Sequence, residues 1–203
     1  MLSGAILSGG RSSRMGRDKG MIRLGGRPLV THVATTMAEI VDETVVAVAA
    51  GKSTEYADVL GGDLVIAEDK EADLGPLEGL ITALSAARGD YVLFSPCDTP
   101  FLKASVCQLT ASSAKGRGGA VPVVRGYQEP LHAVYKRTSA LEAFEMALNT
   151  GKRRPTDAYG GLDLVRIPED VLKELDPRLE SFWNLNTPED LAQAEARLKQ
   201  ELR

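Results

Sequence analysis

Residues 4–20 read GAILSGGRSSRMGRDKG. The first five, GAILS, form an apolar run of strand length, and Gly9 and Gly10 close it. A loop follows that carries Arg11, Arg14, Arg17 and Lys19 against a single acid, Asp18. Glycines directly behind a strand let backbone N–H groups approach an anion closely. So much positive charge there, in a chain of formal net charge −4, points to phosphate. A solvated surface loop is the bland alternative.

Outward from this stretch, strand and helix patterns alternate. PLVTHVATTMAEI (28–40) has apolar residues at helical spacing, with Pro28 placed for a first helical turn. ETVVAVAA (43–50) is a β-branched run suited to a strand buried on both faces, and DLVIA (63–67) is another short strand. GPLEGLITALSAARG (75–89) puts Leu77, Leu80, Ile81 and Leu84 on one helical face, with Gly89 at a C-cap position. YVLFS (91–95) is a strand that runs into PCDTP (96–100). This rhythm predicts an α/β fold with a mostly parallel sheet, whose ligands bind beyond the carboxyl ends of the strands. The segments 9–19 and 96–100 each follow a strand and are expected at one edge.

The second half is less regular. GAVPVV (119–124) and EPLHAVYK (129–136) read as strands around a turn at Arg125–Gly126, SALEAFEMAL (139–148) as a helix and DLVRI (163–167) as a strand. TPEDLAQAEARLKQEL (187–202) is a helix that Thr187 can cap and Pro188 can open. Its stripe of Leu191, Ala194, Leu198 and Leu202 is expected to dock on the sheet.

The chain has 203 residues, 43% hydrophobic and 26% charged, and is expected to form a single domain over 1–203. Its mild acidity argues against nucleic-acid or membrane-surface binding. No apolar stretch is long enough to span a bilayer, no basic segment precedes the first strand, and a cytoplasmic location follows as the expectation. Cys97 and Cys107 lack zinc-ligand spacing and read as small buried residues.

Two common phosphate motifs fail on spacing. GKS at 51–53 has Val46 where a P-loop needs glycine, and Gly9, Gly10 and Gly16 do not fit G-x-G-x-x-G. Instead, LSGGRSSRMGRDKG (7–20) resembles the L-[AS]-G-G-x-[SG]-[ST]-R-M-G-x-[DP]-K signature of nucleotidyltransferases with a Rossmann-like domain. FSPCDTPFL (94–102) and NLNTPEDL (184–191) are similar to the acidic and C-terminal motifs of one branch, the molybdenum cofactor guanylyltransferases. DLGPLEG (73–79) and QEPLHAVYK (128–136) also fit, so the resemblance spans nearly the whole chain in order.

The resemblance implies a doubly wound, mostly parallel Rossmann-like sheet of the nucleotide-diphospho-sugar transferase type. It implies transfer of GMP from GTP to the terminal phosphate of molybdopterin, with release of pyrophosphate. It places Leu7, Ser8, Gly9 and Gly10 along the nucleotide and Arg14 and Lys19 on its phosphates. Asp98 would hold Mg²⁺, an ion that prefers oxygen ligands and keeps several waters; a turn aspartate is the plain alternative. Asp69 would contact the nucleotide, through guanine N1–H and N2–H donors. Asn184 and Asn186 would complete the metal shell or bind the second substrate; Asn186 could equally support the helix start. Lys152, Arg153 and Arg154 could receive the pterin phosphate or be a solvated run. Cofactor-delivery or acceptor molybdoenzyme proteins are further partners that the resemblance suggests. Where relatives can carry an asparagine near the end of the second strand, this chain has Ala50. Two other readings remain at this stage: a cytidylyltransferase acting on molybdopterin or another small phosphate, and a non-catalytic GTP- or cofactor-binding delivery protein.

Overall fold

The computed structural model describes residues 1–9, 18–62, 64–70 and 75–201. Among these the strands are β1 (Leu2–Ser8), β2 (Arg23–Leu24), β3 (Arg27–Pro28), β4 (Glu43–Val48), β5 (Val65–Glu68), β6 (Tyr91–Pro96), β7 (Gly119–Val124), β8 (Tyr127–Gln128), β9 (Val134–Lys136) and β10 (Leu164–Ile167). The helices are α1 (Leu29–Ala38), α2 (Ser53–Leu60), α3 (Pro76–Ala86), α4 (Ala104–Ala114), α5 (Arg137–Asn149), α6 (Glu169–Leu175) and α7 (Pro188–Glu201). The main sheet runs β10-β7-β9-β6-β1-β4-β5, with β8 paired to β7. β6, β1, β4 and β5 are mutually parallel. β9 runs antiparallel to both its neighbours, β6 and β7, and β10 is parallel to β7. The expected mostly parallel α/β sheet is therefore present, with one reversed strand inside it.

The apolar runs explain the layers. Successive strand residues point to opposite faces, so a strand covered on both sides is apolar along most of its length, and any polar residue in it must find a partner. All six residues of β4 are buried. Ile6, Val46, Val48 and Leu93 join Val30, Val33 and Met37 of α1, Tyr56 of α2 and Val106 of α4 in one core cluster. Ala5, Val45, Val92 and Phe94 join Leu77, Leu80 and Leu84 of α3 and Phe144 of α5 in another.

Four expectations are corrected. EPLHAVYK is not one strand: Pro130–His132 form a 3-10 turn, β9 covers only Val134–Lys136, and the partner of β7 across the Arg125–Gly126 turn is β8. Pro28 does not open α1: it closes β3 and stands one residue before the helix. The stripe of α7 docks elsewhere: Ala194, with Leu191 and Leu198, packs with Leu24, Leu29, Phe101 and Leu185 in a separate cluster beside the β2–β3 hairpin, and Leu202 lies outside the described residues. Gly89 is not a helix cap, since α3 ends at Ala86 with Ala87 as its C-cap.

Gly89 is required by close approach instead. It donates its N–H to Ser3 Oγ at 2.8 Å, and Ser3 Oγ donates to Glu43 Oε1 at 2.6 Å. Glu43 also accepts from Arg88 N at 2.6 Å and Arg88 Nε at 2.7 Å. Burial works against the Glu43 charge, but these bonds prevail and hold the carboxyl at about 2. A methyl on Gly89 would stand 2.6 Å from Ser3 Oγ and 2.7 Å from Ser3 N, so β1 must shift. Gly89→Ala is expected to cost about 2 kcal/mol and lower the thermal midpoint by roughly 6 °C, read by calorimetry. An unchanged midpoint would show that β1 has room to move.

Candidate functional site

Because β6, β1, β4 and β5 are parallel, their carboxyl ends share one edge. Gly9 follows β1, Ala50 follows β4, Asp69 follows β5 and Asp98 follows β6. Cys97 N donates to Leu7 O at 3.0 Å, which fastens the exit of β6 to that of β1. Asp69 N donates to Val48 O at 2.8 Å and does the same for β5 and β4.

Lys19 opens a 3-10 turn, Lys19–Met21, for which Asp18 supplies the cap by accepting from Gly20 N at 3.1 Å. Its ammonium donates to Asp98 Oδ2 at 2.8 Å and to Asn186 Oδ1 at 2.6 Å. Asp98 is only 7% exposed. Three segments far apart in sequence thus meet at one cation. Asp98 O accepts from Leu185 N at 2.9 Å, so the turn that carries the acid also holds the Asn184–Asn186 segment.

Asn186 owes its orientation to α7. Asp190 Oδ2 accepts from Asn186 N and Thr187 N, both at 2.9 Å, and Asp190 N donates to Thr187 Oγ1 at 3.1 Å. This reciprocal cap lets Thr187 and Asp190 start the helix, and Pro188 is its first residue as expected. The Asn186 side chain is then directed at Lys19, and its Nδ2 donates to Asn184 O at 3.3 Å.

Asp69 sits with Gly9, on the β4–β5 side of β1. Thr82 Oγ1 donates to Asp69 Oδ1 at 2.8 Å. Asp69 Oδ2 lies 2.8 Å from where a Cβ on Gly9 would be, so any side chain there would collide with it. Burial pushes the Asp69 carboxyl up, opposed by the Thr82 bond. The Ser8 hydroxyl turns inward to the Tyr56 hydroxyl. Ala50 is exposed in the turn beyond β4.

The expected Gly10 and Arg14, with Arg11 and Arg17, lie outside the described residues. Lys152, Arg153 and Arg154 are exposed; Arg153 Nη1 donates to Leu148 O and Lys152 O at 3.3 and 3.0 Å, and Arg154 pairs with Asp157 at 3.3 Å. Arg153 O lies 3.9 Å from a Cβ built on Gly75, placing the cluster beside the start of α3. Cys97 and Cys107 are free and buried, and burial pushes both thiols up to about 12. Sequence reasoning missed Tyr56 and Thr82, and it gave Asp190 only a place in the first turn of α7, not the bond to Asn186. Only Asp190 had a signal, in the Thr187-x-x-Asp190 spacing.

His132 lies behind the site, buried edge-on to Phe182 with ring centroids 5.1 Å apart. Neither ring nitrogen has a well-formed hydrogen bond, although the Asn184 side chain is within electrostatic reach. Burial pushes the imidazole down to about 4 from 6.5, so the unfolded chain binds a proton before the folded one does. Stability is therefore lost as pH falls from 6.5 through 4, by at most about 1.4 kcal/mol per pH unit from this group. In denaturant unfolding, His132→Leu is expected to show a shallower acid slope than the unsubstituted protein across that window; equal slopes would refute this.

The oxygens that hold Lys19 form a hard, anionic donor set. Asp98 Oδ2 and Asn186 Oδ1 already converge on one cation, and this chemistry suits a magnesium-sized ion that also keeps waters and phosphate oxygens. Among the described residues no three His, Cys, Asp or Glu side chains cluster as a metal cage, and no helix is long and apolar enough to cross a membrane.

Comparison with known proteins identifies the family. The molybdenum cofactor guanylyltransferase of Desulfosudis oleivorans is 36% identical over 98% of this chain and 96% of its own length. A probable molybdenum cofactor guanylyltransferase of Natronomonas pharaonis is 34% identical over 97% of this chain and 98% of its own. The crystal structure of molybdopterin-guanine dinucleotide biosynthesis protein A from Archaeoglobus fulgidus superposes with a TM-score of 0.83 at 28% identity, covering 98% of this chain and 99% of that one. The profile of the MobA-like NTP transferase domain matches residues 4–162, a span that holds the exits of β1, β4, β5 and β6 together with Lys19 and Asp98, and the chain belongs to that family.

Proposed function

We propose that this protein, acting as one nucleotidyltransferase domain, transfers GMP from GTP to the terminal phosphate of molybdopterin and releases pyrophosphate. One observation carries the reading: the Lys19 ammonium is held between Asp98 Oδ2 and Asn186 Oδ1 at the carboxyl edge of the parallel strands. An acid and a base fixed there fit a reaction whose two partners are both anions.

The roles follow from position. Gly9 admits the nucleotide close to the backbone at the end of β1. Asp69 accepts from the guanine N1–H and N2–H through the oxygen beside Gly9. Lys19 stabilises charge as it grows on the α-phosphate while an oxygen of the acceptor phosphate attacks the phosphorus and the bond to pyrophosphate breaks. Asp98, with Asn186 and Asn184, would hold Mg²⁺, which when bound neutralises phosphate charge and aligns the leaving group. In the free protein Lys19 balances the largely buried Asp98 carboxylate. The exposed cluster at Lys152, Arg153 and Arg154 is assigned to the acceptor phosphate.

Isothermal calorimetry with GTP, CTP and ATP in the presence of Mg²⁺ tests the reading. GTP is expected to bind at least about tenfold more tightly than the others, a difference near 1.4 kcal/mol, and mixing with molybdopterin should then release pyrophosphate. A preference for CTP would move the protein to cytidylyl transfer. GTP binding without pyrophosphate release would make it a delivery protein.

A further inference from the structure

Tyr56 is completely buried, on a helix that the sequence pattern did not reveal. A tyrosine in an apolar cluster needs a partner for its hydroxyl, and this one has two. Its hydroxyl donates to Asp18 Oδ1 at 2.6 Å and is hydrogen-bonded to Ser8 Oγ. Ser8 is the last residue of β1, and Asp18 immediately precedes Lys19. The same Asp18 oxygen accepts from Gly20 N at 3.1 Å, which shapes the turn that Lys19 begins.

Both ends of this connection are fixed. Glu68, the last residue of β5, accepts from Ser53 N at 2.8 Å and so holds the first turn of α2, the helix that carries Tyr56. Gly20 completes the fit, because a Cβ there would overlap the hydroxyls of both Tyr56 and Ser8. Burial, followed by the nearby Cys97, pushes the phenol's ionisation well above its ordinary value, so the hydroxyl keeps its proton to donate.

We propose that Tyr56 is a positioning residue for nucleotide binding: its buried hydroxyl ties Asp18 to the end of β1 and thereby sets Lys19 against Asp98 and Asn186. This rests on the nucleotide-binding role given to Lys19 above. The apolar body of Tyr56 serves the core; its hydroxyl serves Lys19. Tyr56→Phe removes the second function and keeps the first.

Two readouts test this, one of them free of ligand. In the ligand-free protein, hydrogen exchange of the Gly20 amide should quicken at least tenfold in Tyr56→Phe while amides of β4 keep their rates. In calorimetry, Tyr56→Phe should weaken GTP binding about tenfold in the unsubstituted protein and less than twofold when Lys19 is already alanine, because the hydroxyl acts through Lys19. Asp18→Ala cuts the same connection from its other end and should reproduce the calorimetric pattern should Tyr56→Phe fold poorly; its Gly20 exchange quickens in any case, because Asp18 is the acceptor of that amide. Unchanged Gly20 exchange, or an equal loss of GTP affinity in both backgrounds, overturns the proposal. If the unsubstituted protein binds no GTP, the guanylyl reading falls, and the exchange result alone decides whether Tyr56 holds Asp18.

Discussion

Asp98→Ala is expected to lower pyrophosphate release from GTP and molybdopterin roughly 100- to 1,000-fold, the loss typical when one preorganised electrostatic partner of a transition state is removed. Asp98 is the acid that Lys19 touches, at 2.8 Å, and the residue with the carboxylate best placed to hold a divalent cation. Its backbone bond to Leu185 N survives the substitution, so the Asn184–Asn186 segment keeps its anchor. The protein should melt within a few degrees of the original. Asp98→Asn, which preserves the shape and an oxygen acceptor for Lys19 but not the charge, should lose nearly as much activity. Lys19→Ala should fall in the same range and leave the Asp98 carboxylate without its counter-charge. Retention of more than a tenth of the activity by Asp98→Asn would show that the charge is dispensable and would remove Asp98 from the mechanism.

The largest expected effect on stability lies at Glu180. This buried carboxylate accepts from Arg197 Nε at 2.7 Å and Arg197 Nη2 at 3.3 Å, with Arg178 Nε at 3.6 Å and Lys103 Nζ at 3.8 Å. Lys103 also pairs with Asp176 at 2.8 Å, and Asp176 Oδ2 accepts from Ser181 N at 2.8 Å. The network fastens α7, through Arg197, to the start of α4 and the end of α6. Removing one member of a buried ion pair leaves the rest of its charges uncompensated, at a cost of about 3–5 kcal/mol. Glu180→Ala should therefore lower the thermal midpoint by about 10 °C. The hydrogen bonds from Arg197 hold the Glu180 carboxyl below its ordinary value of 4.5, with burial opposing. Its contribution is therefore complete above that pH and is lost as the solution becomes more acid. The gap between Glu180→Ala and the original should narrow below pH 4.5; a gap that stays constant would mean packing rather than charge is responsible.

Much of this was legible beforehand, and for definite reasons. ETVVAVAA and YVLFS became β4 and β6 because a strand covered on both faces reads as a nearly continuous apolar run. Placing Asp98 at the ligand edge needed only the rule that parallel strands expose one carboxyl end. What escaped had weak local signals. STEYADVL carries a single fully buried residue, Tyr56, so no apolar stripe announces α2. The α4 sequence ASVCQLTASSA mixes small and polar residues on every face, and its burial comes from the sheet beside it. Gly89 has the position of a cap in the sequence, but its need is steric and arises from Ser3, distant in sequence. The docking of α7 depended on the two-residue strands β2 and β3, too short for any periodicity to show. Asn186 and Lys19 are separated by most of the chain, and only the fold brings them together.

The place of β1 in the sheet also bears on how the chain is made. It is synthesised before both of the strands that flank it, β4 and β6, with Leu2 opposite Tyr91. At a translation rate of about 5–20 residues per second, its second neighbour follows roughly 5–20 s later. Through that interval the nascent strand GAILS has at least one row of backbone donors and acceptors uncovered. Ribosome-bound chains that stop before Tyr91 thus carry β1 with an open edge where β6 will lie, and the pairing of Leu2–Leu7 with Tyr91–Pro96 is the step that closes it.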